Sequence, residues 1–154
     1  MWNKEKSTTL SIVVCFIFLA ILTVGLFIGP WAVSQWFSTY RGFAEISTIK
    51  HLSTLFACCF YPCAIFAYIT LYSLIRLLFN IKKEEIFIAQ NVKYLRRISW
   101  CCFVVAFITL IGGIFYIPFS FVAIAAAFIG LMLRIVKNVM QNAIELKTEN
   151  ELTI

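Results

Sequence analysis

Four long apolar runs, separated by polar stretches, dominate the pattern of the chain. A helix needs about 20 mainly apolar residues to cross a bilayer, and each run is close to or above that length. Pro118 leaves room for only a tight turn between the last two runs, so those helices must form an antiparallel hairpin. The pattern predicts an all-α polytopic membrane protein, one four-helix domain of residues 1–154, with spans at residues 10–28, 52–79, 98–117 and 119–136.

The stretch from Lys82 to Trp100 is the one long charged interruption between the two apolar halves. Its apolar residues recur at roughly helical spacing, which predicts an amphipathic cytoplasmic helix within a loop of residues 80–97. Such a helix either connects two spans within the headgroup layer, with its basic residues against anionic lipid phosphates, or docks a cytosolic protein. The predicted surface consists of Phe87, Asn91, Lys93, Leu95, Arg96 and Arg97.

The string IFIAQNVKYLRRISW in this stretch resembles the signature of the small bacterial membrane family known as domain of unknown function 2975. One departure is Ile88, because the family usually has Thr or Ser there, a natural helix N-cap. The ending ELKTENELTI is similar to the family's acidic C-terminal tract followed by Leu-Thr and an aliphatic residue. With four hydrophobic segments in about the same places, the resemblance covers nearly the whole chain. The matching residues of the signature are Phe87, Asn91, Leu95, Arg96, Arg97 and Ile98.

Composition excludes a water-soluble globule. Hydrophobic residues make up 62% of the chain and charged residues 13%, against roughly 45–50% and 25% in soluble domains. The net charge of +6 is explained by membrane topology rather than by nucleic acid, since no basic motif lies away from the spans. We therefore expect an integral membrane protein without direct nucleic-acid binding.

The basic residues are distributed unevenly about the predicted spans. Of the 13 Lys and Arg residues, only Arg41 and Lys50 fall in the connector between the first two spans. The others flank the opposite ends of the spans. Because basic residues concentrate on the cytoplasmic side, this distribution places both termini and the central loop in the cytoplasm, with residues 137–154 as a cytoplasmic tail. The expected location is the cell (inner or plasma) membrane, with several passes.

Small residues form stripes on the last two predicted helices. Their spacing of three and four places them on one helix face, where they let helix backbones approach closely in lipid. We interpret the stripes as packing surfaces rather than as a ligand site. The residues are Ser99, Cys102, Ala106, Thr109 and Gly113 on the third helix, and Ala123, Ala127 and Gly130 on the fourth.

Residues for catalysis or metal binding are scarce. The chain has no Asp, and its seven Glu residues all fall outside the predicted spans, so an ion-coupled pump lacks its usual intramembrane carboxylate. His51 has no partner at ligand spacing, and the six cysteines form no C-x-x-C pair. Free thiols in apolar helices behave as small hydrophobic residues. We therefore expect no enzyme activity, no cofactor and no metal.

Three classes of function are compatible with this sequence. The first is a non-catalytic regulatory protein that docks a cytosolic partner. The family resemblance implies a candidate, because members are often encoded beside a small helix-turn-helix regulator. The second is a transporter or oligomeric pore, for which Thr70, Ser73, Ser99 and Thr109 are the only polar candidates. The third is self-protection against a membrane-active peptide.

Overall fold

A computed structural model of the protein describes residues 4–39 and 46–152, and these fold into α-helices joined by short connections. The helices are α1 (Lys4–Thr39), α2 (Ile46–Lys82), α3 (Ala89–Phe115) and α4 (Pro118–Leu152). Each contains a segment long and apolar enough to cross a membrane, at Lys6–Gly29, Ser53–Lys82, Ala89–Phe115 and Pro118–Asn150. The predicted all-α fold with four candidate membrane-spanning helices is confirmed for the described residues.

The amphipathic helix predicted for the loop of residues 80–97 is not a separate element. Helix α2 continues to Lys82, residues 83–88 form a short connection, and residues 89–97 are the first turns of α3. The apolar side chains Val92 and Leu95 are buried within the protein rather than available to a headgroup layer. A period of 3.6 residues fits either arrangement, so the sequence pattern did not distinguish them.

Helix α4 continues through most of the predicted tail of residues 137–154 and ends at Leu152. Met140, Ala143 and Ile144 remain half-buried along this extension, whereas Asn138 is exposed. The apolar face of the span therefore continues beyond the apolar run itself, and this keeps the segment helical.

The helices pack in chain order, α1 against α2, α2 against α3, and α3 against α4. Among the described residues, the backbone of α1 approaches neither α3 nor α4, so the helices form an open row. Residues 116–117 join α3 to α4, and the Tyr116 N–H donates to the Gly112 carbonyl at 3.0 Å. Pro118 is the first residue of α4, where its missing N–H leaves no helical hydrogen bond unmade.

Small residues are prominent in the helix contacts, where Leu77 and Ile98 are also buried, and most large apolar residues face outward. Ala64, Ala106 and Ala123 are buried, whereas Phe27 and Ile114 are among the most exposed side chains. Lipid tails accommodate large apolar side chains, so close backbone packing rather than burial of bulk holds helices together in a bilayer. The distribution therefore fits a protein surrounded by lipid.

Candidate functional site

The basic end of the molecule contains the start of α1, the connection between α2 and α3, and the later part of α4. Asn91 organises this end and is 0% exposed. Its Nδ2 donates to the carbonyls of Glu85 and Ile86, both at 2.8 Å, and its Oδ1 accepts from Asn80 Nδ2 at 2.8 Å. A buried amide with both donors and its acceptor engaged fixes the backbone around it. Asn80 and Asn91, the asparagine pair, thus tie the end of α2 to the start of α3.

The connection begins with a tight C-terminal cap on α2. The Glu85 N–H donates to the Asn80 carbonyl at 3.0 Å, and the Glu84 N–H donates to the Ile81 carbonyl at 3.1 Å. These two bonds define a Schellman motif, whose penultimate residue adopts the left-handed conformation that glycine favours. Glu84 occupies that position with φ of 63°. Because position 84 is not a glycine, the sequence does not indicate this cap.

Replacing Glu84 with glycine is expected to raise the free energy of unfolding by about 1 kcal/mol, because glycine adopts positive φ without the steric cost of a Cβ atom. The measurement is the unfolding midpoint of the detergent-solubilised protein by circular dichroism. Glu85→Gly is the control, since it removes the same charge one residue later, where φ is not positive. Equal midpoints for the two variants would contradict the strained cap.

The asparagine pair supports an exposed basic and aromatic surface. Phe87 lies in the connection and is 50% exposed. Lys93, Arg96 and Arg97 are exposed on the first turns of α3 and line one groove together. Within the described part of the chain, none of these three cations pairs with a carboxylate. We refer to these four residues as the basic face.

The structure corrects the predicted surface at two of its six residues. Asn91 is fully buried, and Leu95 is only 4% exposed, so neither side chain can contact a partner. Both lie on the face of α3 that turns toward the protein, which a helical wheel without neighbours could not identify. The remaining members, Phe87, Lys93, Arg96 and Arg97, are accessible.

Of the grooves that adjoin the basic face, two lie on either side of the ridge formed by Arg96 and Trp100. Another lies between the start of α3 and the later part of α4, where Glu145 lines it together with Lys93 and Arg96. The α2–α3 groove has a volume of about 440 Å³, and the α3–α4 groove has a volume of about 280 Å³. The α2–α3 groove is lined by Phe66, Ile69, Lys93, Arg96, Arg97, Trp100, Cys101 and Val104. The α3–α4 groove is lined by Arg96, Ser99, Trp100, Arg134 and Lys137.

The sequence did not indicate that Arg134 and Lys137 line the same groove as Arg96. They are three residues apart on α4, which places them on one helix face. The signal that could have found them is the pairing of small residues, since Gly130 lies one turn before Arg134. In that pairing Ser99 of α3 contacts Gly130 of α4, so the basic segments of these two helices lie side by side.

Ser99, Cys102 and Gly130, three members of the predicted small-residue stripes, lie at the contact between α3 and α4. Ser99 Oγ donates to the Gly130 carbonyl at 2.8 Å. A Cβ atom at Gly130 would lie 3.3 Å from Cys102 Cβ, which shows how closely the backbones approach. Thr109 Oγ1 instead donates within its own helix, to the Val105 carbonyl at 2.8 Å. Among the other members, Ala106, Gly113 and Ala123 are buried and Ala127 is half-buried.

The cysteines form no disulfide bond. All six are free; Cys15 and Cys101 are buried, and Cys58 is exposed. Among the described residues, no three His, Cys, Asp or Glu side chains are grouped to hold a metal ion. The side chain of His51 and the position of Arg41 lie outside the described residues.

Comparison with known proteins places this architecture among membrane proteins. A family model described as a protein of unknown function, DUF2975, matches residues 31–154. The chain is 25% identical over 165 residues to the uncharacterized membrane protein YoaS of Bacillus subtilis (strain 168), and the alignment covers 99% of both chains. No solved structure matches the chain.

Proposed function

We propose that this chain, which belongs to the family described as a protein of unknown function, DUF2975, is a non-catalytic membrane protein. In this proposal it docks a cytosolic partner at its basic face. The observation behind this proposal is an exposed Phe87 two residues before α3, whose first turns carry three exposed cations that have no carboxylate partner in the described chain. Exposed aromatic and arginine side chains are the residue types that dominate binding energy at protein interfaces.

The asparagine pair supports the proposal by holding this surface rigid. Asn91 fixes the Glu85 and Ile86 carbonyls directly before Phe87, so the aromatic ring projects from an ordered connection. A preorganised surface loses less conformational entropy on binding than a mobile loop does. The ordered connection that carries Phe87 therefore favours binding of a partner at this surface.

The chemistry of the basic face defines the partner. We propose an acidic surface around an apolar pocket, with the carboxylates facing Arg96 and Arg97 and the pocket receiving Phe87. The resemblance of the sequence implies a small helix-turn-helix regulator. The DNA-binding surface of such a regulator is itself basic, so we expect contact through a different, acidic surface.

The proposal requires the basic end to face the cytoplasm. Arg41 and Lys50 are the only basic residues between the spans of α1 and α2, and the others lie toward the basic end. This asymmetry supports a cytoplasmic basic end, since basic residues near short loops set orientation during insertion. Both termini then lie in the cytoplasm as well.

Transport receives less support from the arrangement of hydroxyl groups. Ser73, Ser99 and Thr109 are buried inside the single chain, and Ser99 and Thr109 donate to backbone carbonyls of that chain. Ser73 Oγ has no hydrogen-bond partner among the described residues, but a single buried hydroxyl does not form a polar stripe for a lumen shared between subunits. Docking is therefore the function that the geometry favours.

Charge reversal tests the docking proposal. Arg96→Glu with Arg97→Glu is expected to weaken binding of the proposed helix-turn-helix regulator at least about tenfold, because two attractive contacts become repulsive. The measurement uses the full chain in detergent micelles and the purified regulator. The control is Lys82→Glu with Lys83→Glu, the same charge change outside both grooves. Unchanged binding by the Arg96 and Arg97 variant would contradict the proposal.

A further inference from the structure

We propose that the α3–α4 groove binds the phosphate of an anionic phospholipid. Its lining contains three basic side chains and no acidic one, namely Arg96, Arg134 and Lys137. Within the described residues, none of the three has a carboxylate partner. A groove that gathers unneutralised positive charge attracts an anion, and arginine pairs with phosphate through two parallel hydrogen bonds.

The depth of the groove favours a lipid over a soluble anion. Trp100 lines the groove and is 59% exposed, and indole rings favour the boundary between headgroups and acyl chains. Arg134 is directly preceded by the apolar run of α4, where Leu131 and Met132 are exposed. Ile135 and Val136, directly after Arg134, are exposed as well. The charged groove is thus bordered by apolar surface, as expected of a site that a membrane lipid reaches with its headgroup.

The neighbouring groove supplies an apolar path for an acyl chain. Arg96 and Trp100 line the α2–α3 groove as well as the α3–α4 groove. Phe66, Ile69 and Val104 give the α2–α3 groove an apolar wall, and Lys93 and Arg97 line it as well. A charged pocket and an apolar groove on either side of one ridge match the two parts of a phospholipid. A free phosphate or an acidic peptide would use only the charged pocket.

The groove itself is rigid enough to act as a defined site. Ser99, at its base, donates to the Gly130 carbonyl at 2.8 Å, and this bond holds α3 and α4 together one turn from Arg134. Arg96 and Trp100 are four residues apart on α3, so their side chains lie on one face of that helix. The separation of the cations is therefore set by helix packing.

The test measures lipid binding to the full chain in detergent micelles by native mass spectrometry. Dioleoylphosphatidylglycerol is compared with dioleoylphosphatidylcholine, which has the same acyl chains and no net charge. We expect the wild-type protein to retain the anionic lipid preferentially. Arg134→Gln with Lys137→Gln is expected to weaken that binding about thirtyfold, since two cationic contacts are removed.

Three controls separate a defined site from general attraction. Lys82→Gln with Lys83→Gln removes the same charge outside the groove, so it is expected to change binding by less than about threefold. Arg134→Lys with Lys137→Arg keeps both charges and is expected to retain lipid preference. This variant keeps the proposal testable even if the glutamine variant misfolds. Inorganic phosphate is expected not to displace the lipid.

Three results would overturn the lipid site. They are equal retention of the two lipids by the wild-type protein, equal losses in the groove variant and the Lys82 and Lys83 variant, and displacement of the lipid by millimolar phosphate. Because the groove variant leaves Arg97 and Phe87 intact, loss of lipid binding and loss of regulator docking are distinguishable.

Discussion

Replacing Asn91 with leucine is expected to lower the free energy of unfolding by about 3 kcal/mol, because three part-buried hydrogen bonds are lost and the Glu85 and Ile86 carbonyls lose their donor. Leucine has nearly the same shape, so the loss reports hydrogen bonding rather than a cavity. The measurement is unfolding of the purified protein in mixed micelles of increasing denaturing-detergent fraction, followed by circular dichroism.

Two variants control this prediction. Gln90→Leu changes the adjacent residue, whose side chain is exposed, and is expected to alter stability by less than about 0.5 kcal/mol. Asn91→Asp keeps an acceptor for Asn80 but removes both donors. Its loss of unfolding free energy is therefore expected to exceed that of Gln90→Leu. If Asn91→Leu unfolded at the same denaturing-detergent fraction as Gln90→Leu, the asparagine pair would not stabilise the connection between α2 and α3.

Introducing a methyl group at Gly113 is expected to cost about 2 kcal/mol. A Cβ atom there would meet the Ser120 Oγ atom and would lie 3.1 Å from the Ser120 backbone nitrogen and 3.3 Å from its Cα atom. The hydroxyl can rotate away, but the backbone atoms cannot move without separating α3 from α4. The expected result is a lower unfolding midpoint for Gly113→Ala under the same detergent titration.

Gly25→Ala is the matched control for this substitution. Gly25 lies in α1, and nothing lies within 4 Å of a Cβ atom built there. Because alanine favours the helix over glycine, this variant is expected to be as stable as the wild-type protein or up to about 1 kcal/mol more stable. A Gly113→Ala protein with wild-type stability would mean that the hairpin is looser than the structure shows.

The long helices could be predicted from the sequence, because lipid imposes a minimum apolar length that few other structures satisfy. Their ends could not. Residues 89–97 are helical in both the predicted and the observed arrangement, but only the neighbouring helices determine whether Leu95 meets lipid headgroups or protein. The same reason explains why the predicted surface included two buried residues.

The asparagine pair illustrates a second limit of sequence reasoning. Asn91 follows Asn80 by eleven residues, and no periodicity links two amides across a turn. The turn itself depends on Glu84 in a left-handed conformation, which an acidic residue does not indicate. By contrast, the contact of Ser99 with Gly130 followed the small-residue pattern on both helices. Patterns within one helix are therefore more informative than partners at its ends.

The docking proposal requires that the basic end of the molecule faces the cytoplasm. Reporter fusions test it most directly. Green fluorescent protein or alkaline phosphatase is fused after Lys83, within the connection between α2 and α3, and after Ile117, at the opposite end of α3. Our account predicts fluorescence without phosphatase activity for the Lys83 fusions and the reverse for the Ile117 fusions. Phosphatase activity after Lys83 would place Arg96 and Arg97 outside the cell and contradict the account.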